Sequence, residues 1–112
     1  MSDLITWVDV CPVEQLVPNR GVAALIAGQQ VAVFLVAPED EVLAIDNLDP
    51  CSGAAVLSRG IVGSVGDTLT VASPVFKQRF DLRSGACLDE PDVRVATYPA
   101  RVVDGVVQVA SP

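Results

Sequence analysis

The chain has 112 residues, of which 51% are apolar and 19% charged, and a chain of this size and composition is typically one globular domain. Fourteen acidic side chains against seven basic ones give a net charge of −7, which argues against a nucleic-acid backbone or an anionic membrane as the partner. The longest apolar run, from Val31 to Ala37, is far shorter than the ~20 residues that span a bilayer.

The predicted secondary structure is almost entirely β, because Val, Ile and Thr dominate short runs that turn residues interrupt at intervals of about eight to twelve residues. The opening stretch MSDLITWVDV carries acids where a secretory signal carries bases, so we expect a cytoplasmic protein. A proline near the start of Cys11–Leu16 indicates one helical turn there. After it we predict strands at Val22–Ala27, Gln30–Val36, Glu41–Asp46, Ile61–Val65, Thr68–Ala72, Val75–Phe80, Val93–Tyr98, Arg101–Val103 and Val106–Val109.

Turn chemistry and apolar patterning refine this prediction. The dipeptides Gly66-Asp67 and Asp104-Gly105 are predicted to form two-residue hairpin loops, for which Asp-Gly is favoured because a type I′ turn needs a positive φ at both central residues. Val31–Val36 does not alternate apolar with polar residues, so we expect a strand that is covered on both faces. These patterns predict an all-β protein, an antiparallel sandwich or barrel.

The chain contains no histidine. This absence excludes a Ser-His-Asp triad, a Cys-His pair, an HExxH zinc site and a haem-ligating histidine within these residues. Its three cysteines, Cys11, Cys51 and Cys87, are widely spaced and form no CxxC pair. They therefore favour neither a disulfide framework nor a four-cysteine metal site, and we expect Cys51 and Cys87 to be inert apolar side chains.

Two segments carry a recognisable pattern. Residues 49–60 have the sequence DPCSGAAVLSRG, and residues 73–85 have the sequence SPVFKQRFDLRSG. Together they resemble the two cluster-binding loops of Rieske domains, in which Cys-x-His with a later Leu-x-x-Gly ending is followed by Cys-Pro-x-His-Gly-x-x-Phe-Asp and a Thr-Gly turn. A proline inside each loop, Phe80-Asp81 and Ser84-Gly85 match this framework. The resemblance implies a single Rieske-like [2Fe-2S] ferredoxin fold over residues 1–112, with a smaller, degenerate cluster-binding subdomain.

The ligand positions of that pattern do not match. Asp49 and Ser73 stand where the cysteines should be, and Cys51 and Phe76 stand where the histidines should be. A Rieske cluster needs two thiolates on one iron and two imidazoles on the other. We therefore expect no cluster and no metal in this chain. We also expect Phe76, with Val75, to pack into the space that a buried cofactor would otherwise fill.

A Rieske-like domain with emptied ligand positions resembles the small subunits of the assimilatory NAD(P)H-dependent nitrite reductases. The residues that carry this resemblance are Val56–Gly60, Val71–Pro74, Lys77-Gln78 and Phe80–Leu82. It implies a cytoplasmic complex with a large subunit that holds FAD, siroheme and a [4Fe-4S] cluster and reduces nitrite to ammonium with NAD(P)H. No cofactor is implied in this chain, which would be a non-catalytic subunit that stabilises or activates the large one.

The candidate contacts with such a partner are Arg59, Phe76, Lys77 and Gln78. Packing within the loop is the alternative for Phe76, and a solvated surface is the alternative for the basic residues, which could also pair with Asp49 or Asp81. We expect Asp49 to act as a turn-making side chain rather than as a ligand.

The turn that follows Phe80-Asp81 yields a further local prediction. Asp81 is expected to bond the backbone of the Ser84-Gly85 turn, and Gly85 to adopt a left-handed conformation.

Two other functions stay open at this point. One is a Rieske-derived protein-binding module that regulates a different oxidoreductase, such as an oxygenase. The other is a Rieske electron carrier with substitute ligands. A free-standing enzyme is disfavoured, because the sequence offers no histidine and no paired polar constellation for acid–base chemistry.

Overall fold

The structure is a computed structural model that describes residues 5–37 and 40–111. These residues form ten strands and two 3₁₀ turns, at Val13–Gln15 and Leu57–Arg59. No helix among them is long and apolar enough to cross a membrane. The strands are β1 (Trp7–Pro12), β2 (Gly21–Ile26), β3 (Gln29–Val36), β4 (Glu41–Asp46), β5 (Ile61–Val65), β6 (Thr68–Ala72), β7 (Arg79–Asp81), β8 (Thr97–Tyr98), β9 (Ala100–Val103) and β10 (Val106–Ala110).

The strands form three antiparallel sheets. The first has the order β1-β10-β9, the second β2-β3-β4-β8, and the third β5-β6-β7. The first and last strands of the described chain are therefore neighbours, with Trp7 opposite Ala110. This architecture confirms the predicted all-β, antiparallel fold class.

Strand β3 lies at the centre of the molecule, and its two faces serve two different cores. Because successive side chains of a strand point to opposite faces, Val31, Val33 and Leu35 pack with Val107 and Val109 of the first sheet. The other face, with Ala32, Phe34 and Val36, packs with residues of the third sheet and of the 3₁₀ turn Leu57–Arg59. All six residues from Val31 to Val36 are buried, which confirms the predicted strand covered on both faces.

The predicted hairpin loops are present. Val65 pairs with Thr68 across Gly66-Asp67, and Val103 pairs with Val106 across Asp104-Gly105. Asp104 has a φ of 51° and Gly105 a φ of 78°, so both central residues of the second loop adopt the left-handed conformation that a type I′ turn needs. The predicted helical turn after Cys11 is also present, as Val13–Gln15.

Two predicted strands are wrong in extent. The predicted strand Val75–Phe80 is wrong at both ends, since the observed strand begins at Arg79 and ends at Asp81. The Lys77 N–H donates to the Ser73 carbonyl at 3.0 Å and closes a tight turn before it. Lys77 has a φ of 64° there, which a strand does not allow. The predicted strand Val93–Tyr98 is shortened to Thr97–Tyr98.

Strand β1 was absent from the sequence prediction. Its alternation is broken by a register shift between Asp9 and Cys11, and Pro12 ends it. Its partner β10 lies about a hundred positions further along the chain, beyond the reach of any local pattern.

Candidate functional site

The two loops with the Rieske-like pattern lie side by side, joined by a buried hydrogen bond. The first loop connects β4 to β5, and the second connects β6 to β7. The Ser73 hydroxyl donates to Asp49 Oδ2 at 2.5 Å. Both residues are buried, and Asp49 has no exposed surface at all. The residues at the two cysteine positions of the pattern are thus brought together and bound directly to each other.

The Asp49 carboxylate also organises its own loop. Its Oδ1 accepts the Cys51 N–H at 2.8 Å, and its Oδ2 accepts the Ser52 hydroxyl at 3.0 Å. The Asp49 carbonyl accepts the Gly53 N–H at 2.8 Å. These bonds confirm the turn-making role predicted for Asp49, and they occupy both oxygens of its carboxylate.

Two opposing effects determine the pKa of the Asp49 carboxyl group and therefore its charge. Burial acts to raise the pKa of its carboxyl group, since desolvation disfavours the charged form. The hydrogen bonds from Ser73, Cys51 and Ser52 stabilise the anion, and they hold the pKa below its ordinary value. Asp49 is therefore ionised at neutral pH, as a buried carboxylate whose negative charge is stabilised by neutral donors.

The second loop presents its apolar residues to solvent. The Val75 N–H donates to Ser73 Oγ at 3.3 Å, which fixes the start of the turn. Phe76 is 58% exposed and Val75 is 45% exposed. The expectation that these two side chains fill the space of a lost cofactor is therefore wrong. The Asp49–Ser73 hydrogen bond closes that space instead, so the apolar side chains are left on the surface.

The four residues at the ligand positions do not fit a Rieske cluster. The Phe76 ring offers no lone pair, and the Asp49 carboxylate is already committed to three donors. Burial, followed by the nearby Asp49, raises the pKa of the Cys51 thiol, which disfavours the thiolate that binds iron. Within residues 5–37 and 40–111, no group of three or more His, Cys, Asp or Glu residues could hold a metal ion.

A buried asparagine that the sequence analysis missed positions the end of the first loop. Asn47 Oδ1 accepts the Ser58 N–H at 2.7 Å, and its carbonyl accepts the Leu57 N–H at 3.1 Å. Its Nδ2 donates to Ala55 O and to Gln30 Oε1. Asn47 therefore holds the 3₁₀ turn Leu57–Arg59 against the second sheet. No local signal marks it, because an Asn after a strand is ordinarily an exposed turn residue.

The turn after β7 matches its prediction. Asp81 Oδ1 accepts the Arg83 N–H at 2.8 Å and the Ser84 N–H at 3.3 Å. Gly85 has a φ of 81°. Its N–H donates to the Asp81 carbonyl at 2.8 Å.

The ion pairs Arg79–Asp89 and Arg83–Glu41 involve none of the four residues at the ligand positions. Arg79 binds Asp89 through two side-chain bonds and its own N–H, which lowers the pKa of Asp89 to about 2. Arg83 pairs with Glu41. Neither Arg59 nor Lys77 makes an ion pair with any described residue, so the suggested pairing with Asp49 or Asp81 is wrong.

The exposed side chains of the two loops form a mixed surface, which we call the loop tip and define by Leu48, Val75, Phe76 and Lys77. Leu48 is 46% exposed and precedes Asp49 in the first loop, whose carboxylate is bonded to Ser73 of the second loop. Gln78, another predicted contact, is half-buried. Its Oε1 is buried without a hydrogen-bond donor among the described residues.

Three sheets and two adjoining loops after β4 and β6 define a Rieske-like domain, and the family described as Rieske-like [2Fe-2S] domain matches residues 6–110. A nitrite reductase (NADH) small subunit from Salmonella typhimurium is 46% identical over 92% of this chain and 95% of that protein. The chain therefore belongs to the family of nitrite reductase small subunits. The crystal structure of a putative NADH-dependent nitrite reductase small subunit from Mycobacterium tuberculosis, 48% identical, superposes with a TM-score of 0.94 over 98% of both chains.

The chain is also similar to one segment of a much longer protein. A nitrite reductase [NAD(P)H] large subunit from Klebsiella oxytoca is 37% identical to this chain over 94% of its length, but the match covers only 11% of that protein. A domain of this family thus also occurs as a segment of a longer nitrite reductase polypeptide.

Proposed function

We propose that this chain is a cluster-free, non-catalytic small subunit of a cytoplasmic NAD(P)H-dependent nitrite reductase, which reduces nitrite to ammonium. It docks on the large subunit and stabilises or activates it. The observation that carries the proposal is the buried bond between Asp49 and Ser73, which joins the two ligand loops where a Rieske domain holds iron. A chain whose loops are closed in this way acts by contact rather than by electron transfer.

Association with a large subunit is supported by the Klebsiella oxytoca protein, in which a segment similar to this chain belongs to the large-subunit polypeptide. The redox cofactors, namely FAD, siroheme and a [4Fe-4S] cluster, then reside in the large subunit. The whole of residues 1–112 serves as one docking domain.

The loop tip is the contact surface that the geometry favours. Leu48, Val75 and Phe76 remain exposed although the protein has two well-filled cores. Exposed aromatic and aliphatic side chains on rigid loops are typical anchors of protein interfaces. Lys77 has no ion pair within the described residues, so its charge is available to a partner. Gln78 follows Lys77 in the second loop, and Arg59 ends the 3₁₀ turn of the first loop. These two residues complete the proposed contacts.

The direct test is nitrite-dependent NADH oxidation by the purified siroheme large subunit, measured with increasing amounts of this chain. We expect the rate or the lifetime of activity to rise and to saturate at a fixed molar ratio. Gel filtration of the same mixture should show co-elution. An unchanged rate together with separate elution would contradict the proposal.

A further inference from the structure

A second surface feature lies where the first loop meets β2. Arg20 and Arg59 line an open cavity of about 320 Å³, together with Gly21, Ser58 and Gly60. The 3₁₀ turn Leu57–Arg59 packs directly on the start of β2 there. A methyl group at Gly21 would lie 2.6 Å from the Ser58 carbonyl oxygen, so only glycine allows this approach. The fold itself therefore brings the two arginines to one cavity.

The charge at this cavity is uncompensated. Four of the seven basic side chains have partners within the molecule: Arg79, Arg83, Arg94 and Arg101. Arg20 and Arg59 are exposed, and their side chains bind no described residue. No acidic residue lines the cavity, although the chain as a whole carries a net charge of −7. Two free guanidinium groups thus face one open space in an acidic protein.

We propose that the Arg20–Arg59 cavity binds a carboxylate side chain of the large subunit. This inference rests on the proposed function and adds a site to it. A guanidinium group matches a carboxylate with two parallel hydrogen bonds, and such bonds are stronger than those between neutral groups. Docking also excludes water from the cavity, which strengthens the attraction.

The observations favour a protein carboxylate over a small free anion. The cavity is open, and both of its arginines are exposed to solvent, so a small anion there would keep most of its hydration. The surface of a docked protein would cover the open side of the cavity and exclude water from it. The cavity is also continuous with the first loop, since Arg59 ends the turn that Asn47 holds in place. In a chain with a net charge of −7, a local positive site fixes the orientation of a partner that presents a carboxylate there.

The experiment measures the Kd of the full-length chain for the purified large subunit by isothermal titration calorimetry. The variants are Arg20→Gln, Arg59→Gln and the double variant. We expect each single variant to raise Kd by about tenfold or more, which corresponds to roughly 1.4 kcal/mol. We expect the double variant to raise it by less than the product of the two, because both arginines bind one group. Raising the salt concentration should weaken the wild type more than the double variant.

Arg101→Gln is the matched control, because it removes the same charge from β9, where Arg101 stacks on Trp7 and binds Gln108. It should keep the wild-type Kd. Thermal denaturation of every variant separates loss of binding from loss of folding. Since the side chains of Arg20 and Arg59 bind no residue in the described part of the chain, their replacement should leave Tm unchanged.

The outcomes separate this inference from the proposed function. If the wild type binds and the Arg20→Gln and Arg59→Gln variants bind equally well, the carboxylate site is wrong and the docking function stands. If the wild type does not bind at all, both are wrong. A separate experiment tests for a small-anion site. The chain alone is titrated with inorganic phosphate, and binding is monitored through the amide NMR signals of Arg59 and Gly60. Saturable phosphate binding together with an unchanged Kd in the variants would overturn the proposal in favour of a small-anion site.

Discussion

Ser73 donates its hydroxyl proton to the carboxylate of Asp49 across the two loops that define this family, and neither residue is accessible to solvent. A metal cluster would join these loops by covalent bonds. Here a single charge-assisted hydrogen bond does so, and the loops keep their places relative to the three sheets. The two loops are thus held side by side by their own side chains, and the apolar side chains of Val75 and Phe76 lie on their surface.

Removing this bond should destabilise the protein in a non-additive way. We expect Ser73→Ala to lower the free energy of unfolding by about 1–2 kcal/mol and Asp49→Ala by about 2–4 kcal/mol, since each leaves a buried partner unsatisfied. The double variant should cost less than the sum. Urea denaturation measures all three. Asp67→Ala, in an exposed hairpin loop, is the control and should change stability by less than about 0.5 kcal/mol. Strict additivity would show that the bond does not couple the loops.

Acid should weaken the ion pair between Arg79 of β7 and Asp89. Arg79 lowers the pKa of Asp89 to about 2 in the folded state, against an ordinary value near 3.9 in the unfolded chain. The stability that this pair contributes is therefore fully present above about pH 5 and is lost as the pH falls towards 2. The difference in urea midpoint between the wild type and Asp89→Asn should shrink over that range. Asp92→Asn is the matched control, because the Asp92 carboxylate accepts no hydrogen bond among the described residues.

Two glycines with similar backbone angles should respond very differently to alanine. Gly53 has a φ of 75° and open space around it, whereas a methyl group at Gly85, with a φ of 81°, would collide with the Val95 carbonyl. Gly53→Ala should cost about 1–2 kcal/mol, the penalty for a left-handed alanine. Gly85→Ala incurs the same penalty and must also displace the Val95 backbone. In thermal denaturation we therefore expect it to lose at least about twice as much stability as Gly53→Ala. Equal losses would contradict the close approach at Gly85.

Binding and stability should separate at Phe76. Because its ring is 58% exposed, Phe76→Ala should leave Tm within a degree or two, as surface substitutions usually do. It should weaken the complex with the large subunit by about 1–3 kcal/mol if the ring is an anchor. Leu25→Ala is the control, because Leu25 is 73% exposed on β2, outside the two loops. Equal effects of both variants on Kd would argue against the loop tip.

The missing ligands can be restored to test whether the loops still have the shape of a cluster site. Anaerobic incubation of the wild type with iron and sulfide should give no visible absorption, because Phe76 cannot ligate and Asp49 is committed to three donors. The quadruple variant Asp49→Cys, Cys51→His, Ser73→Cys and Phe76→His has the donor set of a Rieske centre. We expect it to gain visible absorption under the same conditions. A coloured wild-type protein would contradict the cluster-free proposal.

Local sequence signals determined much of the fold. Asp104-Gly105 predicted its turn because only certain residues accept a positive φ, and Val31–Val36 predicted a central strand because every residue in it is apolar. The loops were located by their prolines and by Phe80-Asp81. In each case the physical cause acts within a few residues, so the pattern is visible in the sequence.

The parts that the sequence did not reveal depend on contacts between distant segments. Burial of Asp49 and its bond with Ser73 join positions that are 24 residues apart, and a carboxylate followed by proline reads locally as an exposed turn. The exposure of Phe76 is the converse case, because an aromatic residue in an apolar stretch favours burial. Neither could be predicted without the partner loop. Arg20 was overlooked for the same reason, since its neighbour in the cavity is Arg59.

The pairing of β1 with β10 has a consequence for the order of folding. Within residues 5–37 and 40–111, β1 pairs with β10 and with no other strand, and β9 is the third strand of that sheet. β1 therefore cannot pair until β10, which begins at Val106, has been synthesised. At roughly 5–20 residues per second, the ribosome needs on the order of ten seconds to travel from one strand to the other. Throughout that time β10 is not there to pair with the Trp7–Pro12 segment. Its apolar side chains are therefore accessible to chaperones before they can pack into the folded protein.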